Sequence, residues 1–217
     1  MTVNFRTLAM SGLVAVSLGA CTSTATVHPD YVSAGVSAPV VQGRAVLVMD
    51  EAQRKQVISS HPTSFTGGGS SLVEPVGPII ETVGQKIFNA GFSGGATVSD
   101  KPAADAYDVI VHLDNYTYAF DQLSSLGLAI TPKVTVSITA NVRGPGDRAL
   151  FHKTYARRDF TIGAYAASLH PEEKINQGLH MALGEIFRDI LDDTAKAKVD
   201  DAAKAESQVD RRPGAPW

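Results

Sequence analysis

The stretch 133–143 alternates between apolar and polar residues without a break, which is the pattern of a β-strand with one buried face. Its apolar members are Val134, Val136, Ile138, Ala140 and Val142. A strand with one solvated face favours antiparallel pairing. The run 144–147, Gly-Pro-Gly-Asp, then predicts a turn into a return strand at 149–160. No other feature restricts the possible folds as much as this hairpin.

Two segments have the period of an amphipathic helix. In 76–90 the apolar positions are Val76, Ile79, Ile80, Val83 and Ile87, and Gly91 is placed to end the helix with a left-handed cap. The second segment, 171–194, begins with a proline followed by two glutamates, as a helix N-terminus favours. Its apolar stripe consists of Ile175, Leu179, Leu183, Ile186 and Ile190.

Two further strands are expected before the hairpin. The continuous apolar run 45–49 is typical of a buried strand, and 107–113 alternates as a half-buried one. After Asn115 the apolar phase shifts, so we expect a β-bulge near 114–115 that keeps one face inward. The order of elements predicts an α+β fold: an antiparallel sheet with two helices packed on one face, in a two-layer sandwich.

An aromatic group follows that bulge: Tyr116, Tyr118 and Phe120, continued by Leu123, Leu126, Leu128 and Ile130. The interpretation we favour is that these side chains belong to the core. The alternative is that part of the 116–130 stretch remains exposed as an interaction patch.

The N-terminus has the features of a secretory signal. One positive charge, Arg6, precedes an apolar run of about 14 residues, which is too short to cross a bilayer. The run ends in small residues before Cys21, the chain's one cysteine, which therefore has no partner for an intramolecular disulfide.

The residues Leu18-Gly19-Ala20-Cys21 resemble the lipobox of bacterial lipoproteins. The resemblance implies cleavage before Cys21, a thioether-linked diacylglycerol on its sulfur and a fatty acid such as palmitate on its new amine. Because Thr22 and not aspartate follows the cysteine, the resemblance also implies an outer-membrane location, with the domain facing the periplasm.

Composition divides the chain into four parts. The signal occupies 1–20; a lipidated flexible tether, rich in Thr, Ser, Ala and Pro, is predicted for 21–42. The α+β domain is expected at 43–195, and a charged flexible tail at 196–217. The part 196–209 could continue the preceding helix for a few turns, although it has almost no apolar face to bury. That tail ends in Trp217, the one tryptophan of the chain.

The sequence contains no convincing catalytic, cofactor or metal site. The run 91–95 matches G-x-S-x-G, but it follows a helix, whereas the serine-hydrolase motif follows a strand. The glycines at 67–69 lack the Gly-Lys-Ser/Thr ending of a phosphate-binding loop. The histidines are scattered; His112 and His152 could approach across a sheet, and Asp105, Asp108, Asp114 and Asp121 are numerous near one strand. His170 stands at a predicted helix entrance.

The net charge of −3 becomes −4 when Arg6 leaves with the signal, so a nucleic-acid partner is not expected. Over most of the mature chain the order of elements resembles small envelope lipoproteins of the LptE and YajG kind. Because no group of nucleophile, base and orienting residue is found, we expect a non-enzymatic protein with no small-molecule substrate. Together with the resemblance, this favours a protein held by membrane lipid through Cys21 that binds or scaffolds an envelope protein. The alternative is an accessory subunit of an outer-membrane assembly, transport or secretion machine.

Overall fold

The computed structural model describes residues 21–35, 37–64, 69–121, 130–163 and 171–209. Within them lie eight strands: β1 Cys21–Thr24, β2 Ala45–Val48, β3 Ile58–Ser60, β4 Ser70–Glu74, β5 Ala96–Ser99, β6 Tyr107–Asp121, β7 Thr131–Gly144 and β8 Arg148–Phe160. The α-helices are α1 Glu51–Arg54, α2 Val76–Gly91 and α3 Pro171–Val209, and a 3₁₀ turn spans Pro29–Tyr31. The α+β class is confirmed, while the predicted signal at 1–20 lies outside the described residues.

The strands form two sheets, so the predicted single antiparallel sheet is wrong. The larger sheet has the order β5-β2-β6-β7-β8 and the smaller one β1-β4-β3. In the larger sheet β2 runs parallel to both β5 and β6, while β6, β7 and β8 are antiparallel. Because α2 lies in the connection from β2 to β5, the chain crosses over and returns in the same direction.

The apolar run at 45–49 reflects this parallel environment. Leu47 faces the main core, whereas Val46 and Val48 pack on the opposite side with Ala106. A strand buried on both faces reads as a continuous hydrophobic run. The sequence pattern was therefore a sign of parallel pairing.

The predicted bulge in β6 is confirmed. The register between β6 and β7 shifts between Leu113 and Asn115. Beyond the shift, Tyr116, Tyr118 and Phe120 are buried in the same core as Val109 and Val111 before it, so the extra residue restores the inward face.

The hairpin of β7 and β8 is also confirmed. The five apolar residues of the alternating stretch are all buried, and the chain turns at 145–147, where Gly146 has a left-handed φ of 76°. Strand β8 is fastened to α3 by ion pairs. Lys153 Nζ lies 2.6 Å from Asp193 Oδ2, and Arg157 contacts Glu185 and Asp189 at 2.7 and 2.8 Å.

Helix α2 packs tightly against α3, and its glycines have a different role from the predicted one. Gly91 keeps a negative φ, so it is not a left-handed cap. A Cβ there would lie 2.2 Å from Leu191 Cδ2. The absence of a side chain at Gly91 is what allows the two helices to approach.

In the described parts of 21–42, namely 21–35 and 37–42, the structure shows strand pairing and buried residues where the sequence analysis predicts a flexible tether. Its first residues form β1, which pairs in parallel with β4. Ala25, Val32 and Val41 are buried, and Val32 occupies the space above Gly184 of α3. The segment has no period because its buried residues contact different parts of the fold; Val32, for example, packs over Gly184 of α3, and Val41 bridges to Phe92.

In the segment predicted as a tail, helix α3 continues to Val209, so the possible continuation of the helix over 196–209 is observed. Trp217 lies outside the described residues. Within the described ranges, no helix combines the length and apolar character needed to cross a membrane.

The buried face of β7 generates a stability prediction. Val136→Asp places a charge in the core without a partner and should lower the free energy of unfolding by about 3–5 kcal/mol. Ser137→Asp, one residue away on the solvated face between Asn115 and Ala156, should change it by about 0.5 kcal/mol or less. Urea unfolding of both variants measures the difference, and equal losses would contradict the assigned face.

Candidate functional site

The residue predicted to carry the lipid, Cys21, is the first residue of strand β1. It stands opposite Ser70 of β4, and the next pair, Thr22 and Ser71, joins hydroxyls at 2.9 Å. The candidate attachment point therefore lies at one edge of the smaller sheet.

The histidines of the solvated sheet face do not form a pair. His112 of β6 stands opposite Thr139, and His152 of β8 stands opposite Asn141. Strand β7 separates them, which places their strands about 9–10 Å apart. His170 lies outside the described residues. No group of three His, Cys, Asp or Glu side chains in the described ranges could hold a metal ion.

A hydrogen-bonded row does cross this face, but its order is not that of a catalytic triad. Thr139 donates to Asp114 Oδ2 at 2.8 Å, His112 Nδ1 lies 3.3 Å from Asp114 Oδ1, and the Thr139 and Thr154 hydroxyls are 2.7 Å apart. Nucleophilic catalysis needs the base beside the hydroxyl. Here the carboxylate stands between them on an open, exposed surface.

The remaining aspartates have separate structural roles. Asp105 pairs with Arg44, Asp108 accepts from the Ala103 N–H at 2.9 Å, and Asp121 lies 2.9 Å from Lys133. They do not form a carboxylate pair for acid–base chemistry.

The 91–95 motif is a turn between α2 and β5. Ser93 Oγ accepts a hydrogen bond from the Gly43 N–H at 3.1 Å, and Gly95 adopts a left-handed φ of 70°. The serine is thus occupied in holding two loops together. Of the glycine-rich run, residues 67 and 68 lie outside the described residues.

The aromatic group is part of the core, as the favoured interpretation predicted. Tyr116, Tyr118 and Phe120 are buried, and the rings of Tyr118 and Phe120 meet edge to face with centroids 5.8 Å apart. Leu123, Leu126 and Leu128 lie outside the described residues.

The sequence analysis missed a buried carboxyl group, Glu74, at the end of β4. Its side chain is fully buried, and neither of its oxygens nor the neighbouring Tyr116 hydroxyl completes a hydrogen bond within the described structure. Burial raises the pKa of Glu74 to about 8, and the nearby Tyr116 hydroxyl offsets only part of that effect. The preceding alternation, with Leu72 and Glu74 in phase, was the one signal that Glu74 faces inward.

The second missed residue is His180, which is fully buried in α3. Its Nδ1 lies 2.8 Å from the Asn176 carbonyl, so it donates there, and its Nε2 accepts from the His28 N–H at 3.1 Å. Burial lowers the pKa of His180 to about 4. The neutral ring therefore joins the N-terminal segment to α3, and the sequence signal was its position in the helix's apolar stripe.

Beside this junction lies a cavity of about 310 Å³. It is formed between the segment that follows β1 and the first turns of α3. Its walls include Thr24, His28, Tyr31, Glu172, Glu173 and Asn176. Of the cavities described, this one has the most acceptor groups, and it opens near the residue predicted to carry the lipid.

Glu74 makes stability depend on pH. Because its folded pKa of about 8 exceeds its ordinary value of 4.5, the folded protein holds a proton that the unfolded chain releases between these values. This contribution to stability is complete below pH 4.5 and is lost as the pH rises through 8. Between pH 6.5 and 8 the free energy of unfolding of the native protein should fall by a few kcal/mol for this reason. Glu74→Gln should remove most of that fall, so its Tm should decrease less over the same range. Glu51→Gln, an exposed control, should retain the native slope; an unchanged slope in Glu74→Gln would contradict the assignment.

The contribution of His180 to stability depends on pH in the opposite direction. Its folded pKa of about 4 lies below its ordinary 6.5, so its contribution is present above 6.5 and is lost as the pH falls through 4. Between about 4.5 and 6.5 the slopes of His180 and Glu74 oppose each other. We expect His180→Gln to reduce the acid-side loss of Tm below pH 5 without altering the alkaline side. If calorimetry shows the same fall in Tm below pH 5 in His180→Gln as in the native protein, His180 does not cause that fall.

No protein-family model matches this chain, and comparison with curated proteins finds no match. Similar solved structures include a protein of family DUF330 from Xanthomonas campestris, 13% identical, covering 85% of this chain and 99% of that one with a TM-score of 0.49. A minor lipoprotein from Acinetobacter baumannii is 7% identical, covering 72% and 94%, with a TM-score of 0.33. A neuraminyllactose-binding hemagglutinin homolog from Helicobacter pylori is 10% identical, covering 82% and 100%, with a TM-score of 0.36. At these values the similarities carry no functional argument, so the function is argued from this chain's own residues.

Proposed function

We propose that this protein is a non-catalytic lipoprotein of the bacterial cell envelope, anchored through acyl chains on Cys21, that binds or scaffolds an envelope protein. The anchor residue follows a secretory signal and closes a lipobox-like sequence. Thr22 after the cysteine favours the outer membrane, with the domain in the periplasm.

The observation that carries the proposal is the lipobox-like sequence that ends at Cys21, which would make Cys21 the first residue of the mature chain. In the structure Cys21 belongs to β1, whose four residues pair in parallel with β4. Cleavage before Cys21 would leave this pairing intact.

A short connection between anchor and domain has a physical consequence. With Cys21 already paired to Ser70, a lipid on Cys21 would hold the smaller sheet against the bilayer surface and would not let the domain diffuse on a tether. Two or more acyl chains bind membranes far more stably than one, because each buried CH₂ contributes about 0.8 kcal/mol.

The shape of α3 favours the second candidate function, an accessory subunit of an outer-membrane assembly, transport or secretion machine. The helix starts beside Thr24, at the anchor end, and its 39 residues span about 58 Å. Its final turns therefore extend beyond the core, where they could reach a larger assembly. Crosslinking in intact cells that recovers one stoichiometric channel protein would favour this candidate over a general scaffold.

The anchor is tested by Cys21→Ala. The variant should retain its signal and incorporate no fatty acid, because the sulfur that accepts the diacylglycerol is gone. Metabolic labelling with an alkyne fatty acid, followed by gel mobility, measures both effects.

The matched control is Thr22→Ala, which changes the adjacent residue and removes one exposed hydroxyl pair with Ser71. It should be labelled and processed like the native protein. Equal labelling of Cys21→Ala and the native chain would end the proposal.

A further inference from the structure

The N-terminal strap, residues 21–35, is held on the domain by few contacts. Its strand β1 lies at the edge of the smaller sheet and pairs with β4 over four residues. Beyond β1, its buried apolar residues are Ala25 and Val32. The larger sheet and the two long helices are built from residues 45 onward. Because segments with few buried apolar contacts open at a lower free energy than the core, we expect the strap to open before the domain unfolds.

Polar contacts hold the middle of the strap against α3. The His28 N–H donates to Nε2 of the buried His180 at 3.1 Å, and Asn176 Nδ2 donates to the Thr26 carbonyl at 2.7 Å. The ring of Tyr31 meets the His180 ring edge to face, with 5.5 Å between the centroids. His180 therefore touches two residues of the strap and lies at the centre of the attachment.

The bond from His28 to His180 exists only while the His180 ring is neutral. Its Nδ1 lies 2.8 Å from the Asn176 carbonyl and so carries the single ring proton, which leaves Nε2 as an acceptor. Protonation places a hydrogen on Nε2, which then faces the His28 N–H as donor against donor. The ring is fully buried, so the arriving charge is also poorly solvated. One proton thus removes a bond of the strap and adds an unfavourable charge at the same place.

Two further bonds of the strap do not depend on acid. Lys86 of α2 donates to the Pro29 carbonyl at 2.7 Å, and Arg188 of α3 donates to the Ser33 carbonyl at 3.0 Å. Lowering the pH cannot deprotonate a cationic donor, so both bonds persist in acid while the strap remains in place.

Among the described residues, two other groups of the attachment can take up protons in acid. Glu173 accepts the Tyr31 hydroxyl at 3.2 Å, and a protonated carboxyl still has a carbonyl oxygen with which to accept. His28 contributes its backbone N–H, so protonation of its side chain leaves that donor in place. A positive charge on His28 also disfavours a second one on His180. Of the three groups, only His180 loses its part in the attachment when it is protonated.

We propose that the strap is a proton-operated latch: uptake of a proton by His180 releases residues 21–35 from α3 and β4 while the larger sheet remains folded. The direction follows from linkage, because a group that is harder to protonate in the latched state favours release as the pH falls. Burial lowers the pKa of His180 to about 4 in the latched state, from an ordinary value of 6.5. These two values make release about 20-fold more favourable at pH 5 than at pH 7.

Release changes how far the domain can stand from the membrane, a consequence that rests on the lipid proposed at Cys21. In the latched state that lipid holds the smaller sheet at the bilayer. After release, the next backbone contacts are those of Val40 and Val41 with Gly91 of α2. The chain between Cys21 and Val40 then acts as a tether of about 20 residues, which spans about 25 Å with coil statistics.

The test is amide hydrogen exchange of the full-length protein in nonionic micelles at pH 7 and pH 5. Results are expressed as protection factors, which correct for the intrinsic pH dependence of exchange. Protection in 25–32 should fall about 20-fold between the two pH values. Protection in β7 should not fall, because for global unfolding the gain from Glu74 in this range offsets the loss from His180.

His180→Gln removes the proton-dependent step. The glutamine side chain does not titrate, so protection of the strap should be the same at both pH values, whether the strap is latched or already open. An equal fall in the strap and in β7, no fall in the strap, or a native pH response in His180→Gln overturns the proposal.

Two matched variants test the other acid-titrating groups of the attachment. His28→Gln removes an imidazole and keeps the backbone N–H that bonds to His180; Glu173→Gln keeps an acceptor for Tyr31 and removes the carboxylate. Both should retain the fall of about 20-fold in strap protection. Loss of the response in either variant would place the sensor there and overturn the assignment to His180. Because the exchange measurement needs no acyl chain, its failure is distinguishable from failure of the Cys21 labelling test.

Discussion

Close packing around α3 is the constraint on which the rest of the structure depends. The helix meets α2, the strands β7 and β8 and the N-terminal segment, and it can do so because side chains are absent at two contacts. At Gly91 a Cβ would lie 2.2 Å from Leu191, and at Gly184 one would lie 2.7 Å from Val32. Interiors are packed as densely as organic crystals, so a methyl group at either position would force the elements apart.

That packing explains why the N-terminal segment belongs to the fold. Once Val32 lies against α3, the intervening backbone needs acceptors and donors, which His180 and Asn176 supply to His28 and Thr26. Burying polar groups costs free energy unless they are hydrogen-bonded, and hydrogen bonds are directional. These bonds therefore fix the path of the chain between Cys21 and Tyr31. The burial that accompanies this path also lowers the pKa of His180.

Much of the fold could be predicted from local pattern, because one-sided burial imposes a period. The alternation in β7 predicted that strand and its inward face, and the phase shift at Asn115 predicted the bulge in β6. The hypothesis about function rests on Cys21, because a lipobox-like sequence is contiguous and can be seen without the fold. The cavity residues could not be found this way, since Tyr31 and Glu173 are 142 positions apart and joined only by folding.

The sequence by itself determined the two long helices, the antiparallel hairpin and the position of the candidate anchor, because each depends on neighbouring residues. Only the tertiary structure decided that β2 runs parallel to β5 and β6, that β1, β4 and β3 form a second sheet, and that Glu74 and His180 are buried. Strand partners and the burial of a single polar side chain are set by contacts between distant segments. Their free energy depends on which surfaces meet, and a linear pattern does not contain that information.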